Sequence, residues 1–553
     1  MSTVTSEFDR LVRDYYRAWF RYHPEAAVDV GADEYAGLLT PHGDDDVGAL
    51  LALNEMLLSA LDELGPGELE AESGLDFRVL YGAAVIERHE LIEQDWRRSD
   101  PVRFLPVQAI HQLMLRPVEG FGRALLARLS AIPSHLRSAR RQLHVSPERI
   151  PSEWLAAAVC EAQRGAHYIR ELRRHPRVAR AFSTPGRIAA LVDGAARSLE
   201  EYARFLDDEL APYAAGDFAC GPRQFDRILR HRHFLEVDRG GLERFGRELL
   251  ERTAAELRAV TRELRGDEDV PALTAAIRAD HPSAEEFLSV YREQMRAACR
   301  FVREHDLVTV PEPQHLRVLA TPGFLRHQIP FAAYVEPAPD DPEQRGFYYV
   351  TPAEGQELLG EHNRLALPHT CVHEAWPGHH LQFVTANRRA ASSSLPRLIN
   401  RSSTLYEGWA LYCEQLMYEQ GFLGRPEQRF VLLRDRLWRA LRVQLDIELH
   451  TAGLPLDQAA ERMQRVLGFP REQALADLSW YTRAPGAPLG YATGWALIGA
   501  ARRRLREEEP DFTLKRFHDR LLAAGSIGLP LALQAAFGDE LAREVQRSVF
   551  GTQ

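Results

Sequence analysis

Three imidazoles and one carboxylate fall within eight residues of the segment Thr370-Cys371-Val372-His373-Glu374-Ala375-Trp376-Pro377-Gly378-His379-His380-Leu381-Gln382, whose other positions are largely apolar. Those residue types suit a zinc ion. A catalytic zinc takes three protein ligands and leaves a fourth position for water. The metal draws the pKa of that water toward neutrality, and an adjacent carboxylate removes its proton as it attacks a carbonyl. A His followed at once by Glu opens the zinc helix of many hydrolases, with the second His four positions after the first. Here that position is Pro377.

Helix geometry constrains which later histidine could join His373. Side chains at i and i+4 stand about 6 Å apart on one face. His379 lies on a different face of a regular helix. His380 shares the face but stands roughly 10.5 Å along the axis. Pro377 removes an amide proton and clashes with the preceding turn, so a continuous helix must kink or bulge there. If Pro377 and Gly378 loop out, His379 moves into the vacant slot. We therefore expect His373 and His379 as ligands on a bulged helix, with His380 as the alternative to His379. Two adjacent histidines on a solvated turn would be the plain reading.

A third ligand is expected at Glu407, within the apolar and aromatic run Thr404-Leu405-Tyr406-Glu407-Gly408-Trp409-Ala410-Leu411-Tyr412-Cys413-Glu414. A carboxylate is costly to bury there unless paired or metal-bound, although a helix N-terminus would also favour it. Glu414, two turns on, suits a partner that orients a ligand histidine. Glu374 is the candidate general base. Tyr491, in the Gly- and Pro-rich stretch 483–494, could donate to a carbonyl oxygen as charge builds on it, or could simply pack.

The elements that must hold these groups are mostly helices. Apolar residues recur at helical spacing over Phe8–Trp19, Leu50–Leu64, Leu75–Trp96, 151–174 and 187–211, then over Leu242–Leu264 and Ala284–Glu304. Leu307–Pro311, His315–Leu319 and Gly346–Val350 are β-rich, so a small sheet is expected just before the histidine cluster. The break at Gly216–Pro222 suggests an N-terminal helical region, 1–215, and a catalytic region, 216–553. With 553 residues the chain can bury a large core without disulfides. Its five cysteines show no paired spacing. A net charge of −11 with no basic stripe excludes an ordinary nucleic-acid binder. Basic residues are nearly all arginine, Lys515 being the sole lysine. No apolar leader or membrane span stands out, and a cytoplasmic protein without membrane partners is expected.

Taken together, the segments resemble the bacterial DUF885 family, through His-Glu-x-x-Pro-Gly-His-His-x-Gln at His373–Gln382 and Glu-Gly-Trp-Ala-Leu-Tyr-x-Glu at Glu407–Glu414. The resemblance implies a mainly α fold similar to the M3- and M32-type zinc metallopeptidases, with a substrate channel and a small β-sheet next to the zinc helix. It gives Phe347–Val350, with Tyr348 and Tyr349, a possible role in pairing with extended substrate. Tyr491 matches the family's Tyr-x-x-Gly segment. Just upstream, Ala487 and Pro488 replace a Gln-Ala pair, which removes a polar group from that stretch.

The expectation is a one-zinc hydrolase acting on an amide in a peptide or peptide-like substrate. A biosynthetic enzyme acting on a small non-peptide amide or ester is one alternative. A non-catalytic binding protein with a structural metal site is another, although such a site needs no general base beside it. The oligomeric state is left open.

Overall fold

A computed structural model describes residues 3–551 except 68, 183–184, 327–328, 330, 353–358 and 389–393. Among the described residues the fold is mainly α with one three-stranded sheet. The chain divides into two compact units, Met1–Phe218 and Ala219–Gln553. Among the described residues no helix is long and apolar enough to cross a membrane.

The first unit is all helical. Its long helix Phe121–Leu143 buries Leu125, Leu129, Ile132, Leu136 and Leu143. Helix Ser152–Glu171 and this stripe of Phe121–Leu143 both pack on the helix Pro185–Arg204. Val192, Ala195, Leu199 and Tyr202 answer it from the last of these and are wholly buried.

The second unit holds every candidate site residue. Helix α1, Arg239–Arg265, starts where the Asp238 carboxylate accepts the Gly241 N–H at 2.7 Å and ends at Gly266 with φ of 87°. Helix α2 is Phe287–Glu304, with Tyr291, Met295, Ala298 and Val302 on its buried face. The sheet follows, with β1 at His315–Ala320, β2 at Ala332–Val335 and β3 at Arg345–Val350. Strand order is β1-β3-β2; β3 runs parallel to β1 and antiparallel to β2. Then come α3 (Ala366–Glu374), α4 (His379–Arg388), α5 (Ser403–Glu419), α6 (Pro426–Thr451) and α7 (Gly490–Glu508). Pro426 opens α6, where its missing N–H costs nothing.

Three expectations are corrected. Leu307–Val310 is not a strand. Its backbone groups meet side chains instead: His518 Nδ1 donates to the Leu307 carbonyl at 2.7 Å, and Asp519 accepts the Thr309 N–H at 2.9 Å. The Gly- and Pro-rich loop ends sooner than expected, because helix α7 already begins at Gly490. The buried Asp446 carboxylate on α6 anchors that loop by accepting the N–H groups of Gly486 and Leu489, each at 3.0 Å. Finally, β3 lies in the middle of the sheet, with neighbours on both sides. Tyr348 and Tyr349 are buried there, at 0% and 4% exposure. Their backbone groups serve the sheet, so β3 has no free edge for a substrate strand. Such an edge belongs to an outer strand such as β2.

Candidate metal centre

His373 lies in the last turn of α3 and His379 opens α4, and the helix between them is interrupted rather than bulged. Ala375 leaves the helical region at φ −118° and ψ −86°. The Gly378 N–H then reaches back to the Val372 carbonyl at 3.0 Å, and the Leu381 N–H to the Ala375 carbonyl at 3.2 Å. Position 378 admits only glycine, since a Cβ would run into the carbonyl oxygens of Val372 and His373. From α5, Trp409 Nε1 donates to the Pro377 carbonyl at 2.7 Å, tying the turn to the helix that carries Glu407. This four-residue break turns the His379 ring to within 4.8 Å (centroid to centroid) of His373.

Glu407 completes the cluster. Its Oε2 lies 3.5 Å from His373 Nε2 and 3.2 Å from His379 Nε2. The three ligand-type atoms all fall within 4.8 Å of one another. Glu407 Oε2 is buried and has no hydrogen-bond partner among the described residues. Two ligands each about 2.0–2.1 Å from a tetrahedral zinc stand roughly 3.3 Å apart, close to the separation of Glu407 from each histidine. The donor set and its orphaned oxygen therefore fit a zinc ion.

His380 points elsewhere. Its Nε2 donates to Gln314 Oε1 at 2.8 Å and its Nδ1 accepts from the Tyr334 hydroxyl at 3.1 Å. Burial pushes its pKa down to about 3, so it stays neutral with both nitrogens engaged. The structure thus gathers His373, His379 and Glu407 and leaves the alternative, His380, as a fastener between α4 and the sheet.

The surrounding groups set protonation. His373 Nδ1 donates to Glu414 Oε1 at 2.8 Å, which leaves Nε2 facing the cluster. Burial alone would lower the His373 pKa, but the Glu407 and Glu414 carboxylates outweigh it and push the value up to about 10. Burial likewise opposes the charge of Glu407, yet His379 and His373 hold it well below the usual carboxylate range. Glu374 shifts the other way: burial raises its pKa, and the neighbouring imidazoles only partly offset this. A carboxylate poised upward beside a metal-type cluster is suited to take up a proton.

Tyr491 stands in the first turn of α7, its ring stacked 6.3 Å from that of His373. Burial, reinforced by the charge of Glu407, raises its pKa well above the ordinary value, so the phenol remains a donor. The His379 ring is walled by Tyr334 at 6.1 Å, Phe383 at 6.1 Å and Tyr406 at 6.2 Å. Two arginines of α6 that sequence reasoning passed over also reach this region. The guanidinium carbons of Arg442 and Arg439 lie 4.5 and 5.8 Å from the Tyr491 ring centre. In a chain whose basic residues are almost all arginine, composition could not mark these two.

The fold and site together define a mainly helical protein of two units, the second carrying a buried His–His–Glu cluster with a carboxyl and a phenol at its side. Residues 24–535 match the model of DUF885, a bacterial protein family of unknown function, and the chain belongs to that family. No curated protein matches it. Two solved structures share the fold. One, described as a "putative lipoprotein of unknown function" from Shewanella oneidensis, is 20% identical with a TM-score of 0.76, covering 95% of this chain and 99% of that one. The other, described as a "putative lipoprotein" from Colwellia psychrerythraea, is 18% identical with a TM-score of 0.79 over the whole of both chains.

Proposed function

We propose that the chain is a zinc-dependent hydrolase that cleaves an amide bond in a peptide or peptide-like substrate. The observation that carries this reading is the convergence of His373, His379 and Glu407 on one point, with Glu374 directly following the first of them. A zinc ion held by those three groups would supply Lewis acidity, lowering the pKa of a water and polarising a carbonyl. Glu374 takes the proton of the attacking water and later returns it to the departing amine. Tyr491 donates to the carbonyl oxygen as negative charge collects there. Glu414 keeps His373 in the orientation the cluster needs. On the substrate side, the outer strand β2 carries Tyr334 against both His379 and His380 and offers an edge to an extended peptide.

The test pairs metal analysis with a peptide library. Purified protein is expected to hold one zinc and to cleave a subset of peptides. The Glu374→Gln variant should keep the zinc and lose about 10²- to 10⁴-fold in rate. Undiminished cleavage by that variant would remove Glu374 from the mechanism, and protein that takes up no metal would end the reading altogether.

A further inference from the structure

On α6, beside the candidate metal cluster, Nε and Nη1 of Arg439 and Nη1 of Arg442 are buried without a hydrogen-bond partner among the described residues. Arg442 has already committed Nε to the Tyr481 hydroxyl at 2.6 Å and Nη2 to Asp477 at 3.1 Å. Arg439 Nη1 pairs with Asp435 at 3.6 Å, beyond a hydrogen bond, and its charge also reaches Glu414 and Glu374. Leaving buried charged donors unmet is costly. A fold that tolerates three of them side by side has reason to keep them.

Their position supplies one. Arg439 and Arg442 sit one turn apart on α6, both against Tyr491. Tyr491 in turn stacks beside His373. Arg439 lies within electrostatic reach of Glu374, and Arg442 of Glu407. Paired guanidinium groups hold a planar carboxylate through parallel N–H bonds, which an ammonium cannot imitate.

We propose that Arg439 and Arg442 form a carboxylate subsite beside the His–His–Glu cluster, so that the amide cleaved joins an acyl group to an amine bearing a free carboxylate, as in the last residue of a peptide. The substrate assignment rests on the amide-hydrolase reading above; the subsite itself does not. It makes the enzyme exo-acting from the carboxyl end. Peptides blocked there, and amides without the anion, are poor ligands.

The two ideas separate in one set of measurements. Zinc-loaded Glu374→Gln protein is titrated calorimetrically with N-acetyl-alanyl-phenylalanine and with its C-terminal amide, while wild type is assayed for hydrolysis of both. The acid is expected to bind at least about tenfold tighter than the amide. That preference should vanish when Arg439→Gln is added, and return in part with Arg439→Lys. Arg439 has no hydrogen bond through Nε or Nη1 to lose, so its variants should fold; Arg442→Gln serves as the second probe. Equal binding of acid and amide overturns the subsite, even if peptides are cleaved. A preference that survives both arginine substitutions overturns it too, since the cluster alone would then be holding the carboxylate. Variants that lose zinc or melt early while keeping the preference assign the arginines to charge balance and reject the proposal. An arginine-dependent preference without any hydrolysis sustains the subsite and removes the hydrolase reading.

Discussion

Gly408 of α5 and Gly494 of α7 meet backbone to backbone: a Cβ added to Gly408 would stand 2.5 Å from the Gly494 Cα. A Cβ at Gly494 would run into the Thr404 carbonyl oxygen, and one at Gly490 into Ser403. Glu407 precedes the first of these glycines, and Tyr491 lies between the other two. The close crossing is therefore what brings the carboxylate and the phenol to one place. Gly494→Ala must push the helices apart, at about 1–3 kcal/mol. In a unit of this size each kcal/mol is worth roughly 1.5 °C in Tm. Calorimetry should show that drop together with reduced zinc retention. An unchanged Tm would mean the crossing is looser than described.

The ligand assignment makes a sharp distinction between adjacent histidines. His379→Ala and Glu407→Ala should abolish tight zinc binding, whereas His380→Ala should leave it intact and loosen only the link between α4 and the sheet. Glu414→Gln should weaken binding by about 10- to 100-fold, because the charge that orients His373 is gone. Dialysis against a chelator followed by metal analysis reads all four. Zinc lost from His380→Ala but kept by His379→Ala would reverse the assignment.

Zinc uptake should depend on pH through His373. Without metal, its carboxylate neighbours hold a proton on the ring up to about pH 10. An incoming cation must displace that proton. Apparent affinity should then rise with pH, by up to about tenfold per unit from this one group, and uptake should release protons. Calorimetry in two buffers of different ionisation enthalpy counts them; zero proton release near pH 8 would contradict the picture.

Acid should destabilise the second unit through His518. This buried ring donates from Nδ1 to the Leu307 carbonyl and accepts the Tyr412 hydroxyl at Nε2, 2.8 Å away, a pattern only the neutral form can make. Burial pushes its pKa down to about 4, against about 6.5 unfolded. Its contribution is therefore full above pH 6.5 and is lost as pH falls toward 4. Between pH 7.5 and 5 the loss comes to about 2 kcal/mol. Urea unfolding at the two pH values should show it, and His518→Gln should narrow the difference by that amount.

The residue pattern alone identified the mainly helical fold and the long helices, because amphipathic spacing declares which face must be buried whatever the neighbours are. It also singled out His373, Glu374, His379, Glu407 and Glu414, since a carboxylate in an apolar run demands a partner. Pro377 announced that the helix could not continue. Three-dimensional packing decided the rest. Whether His379 or His380 faces Glu407 depends on a four-residue turn pinned by Trp409 from a distant helix. The place of β3 at the centre of the sheet follows from strand order, which residue alternation does not encode. The glycines around Tyr491 looked like loop residues and are helix-crossing points, because a glycine that permits a turn and one that permits close packing are the same residue in the sequence. Arg439 and Arg442 were invisible among so many arginines. Only unmet donors together with a place against Tyr491, both properties of the folded chain, set them apart.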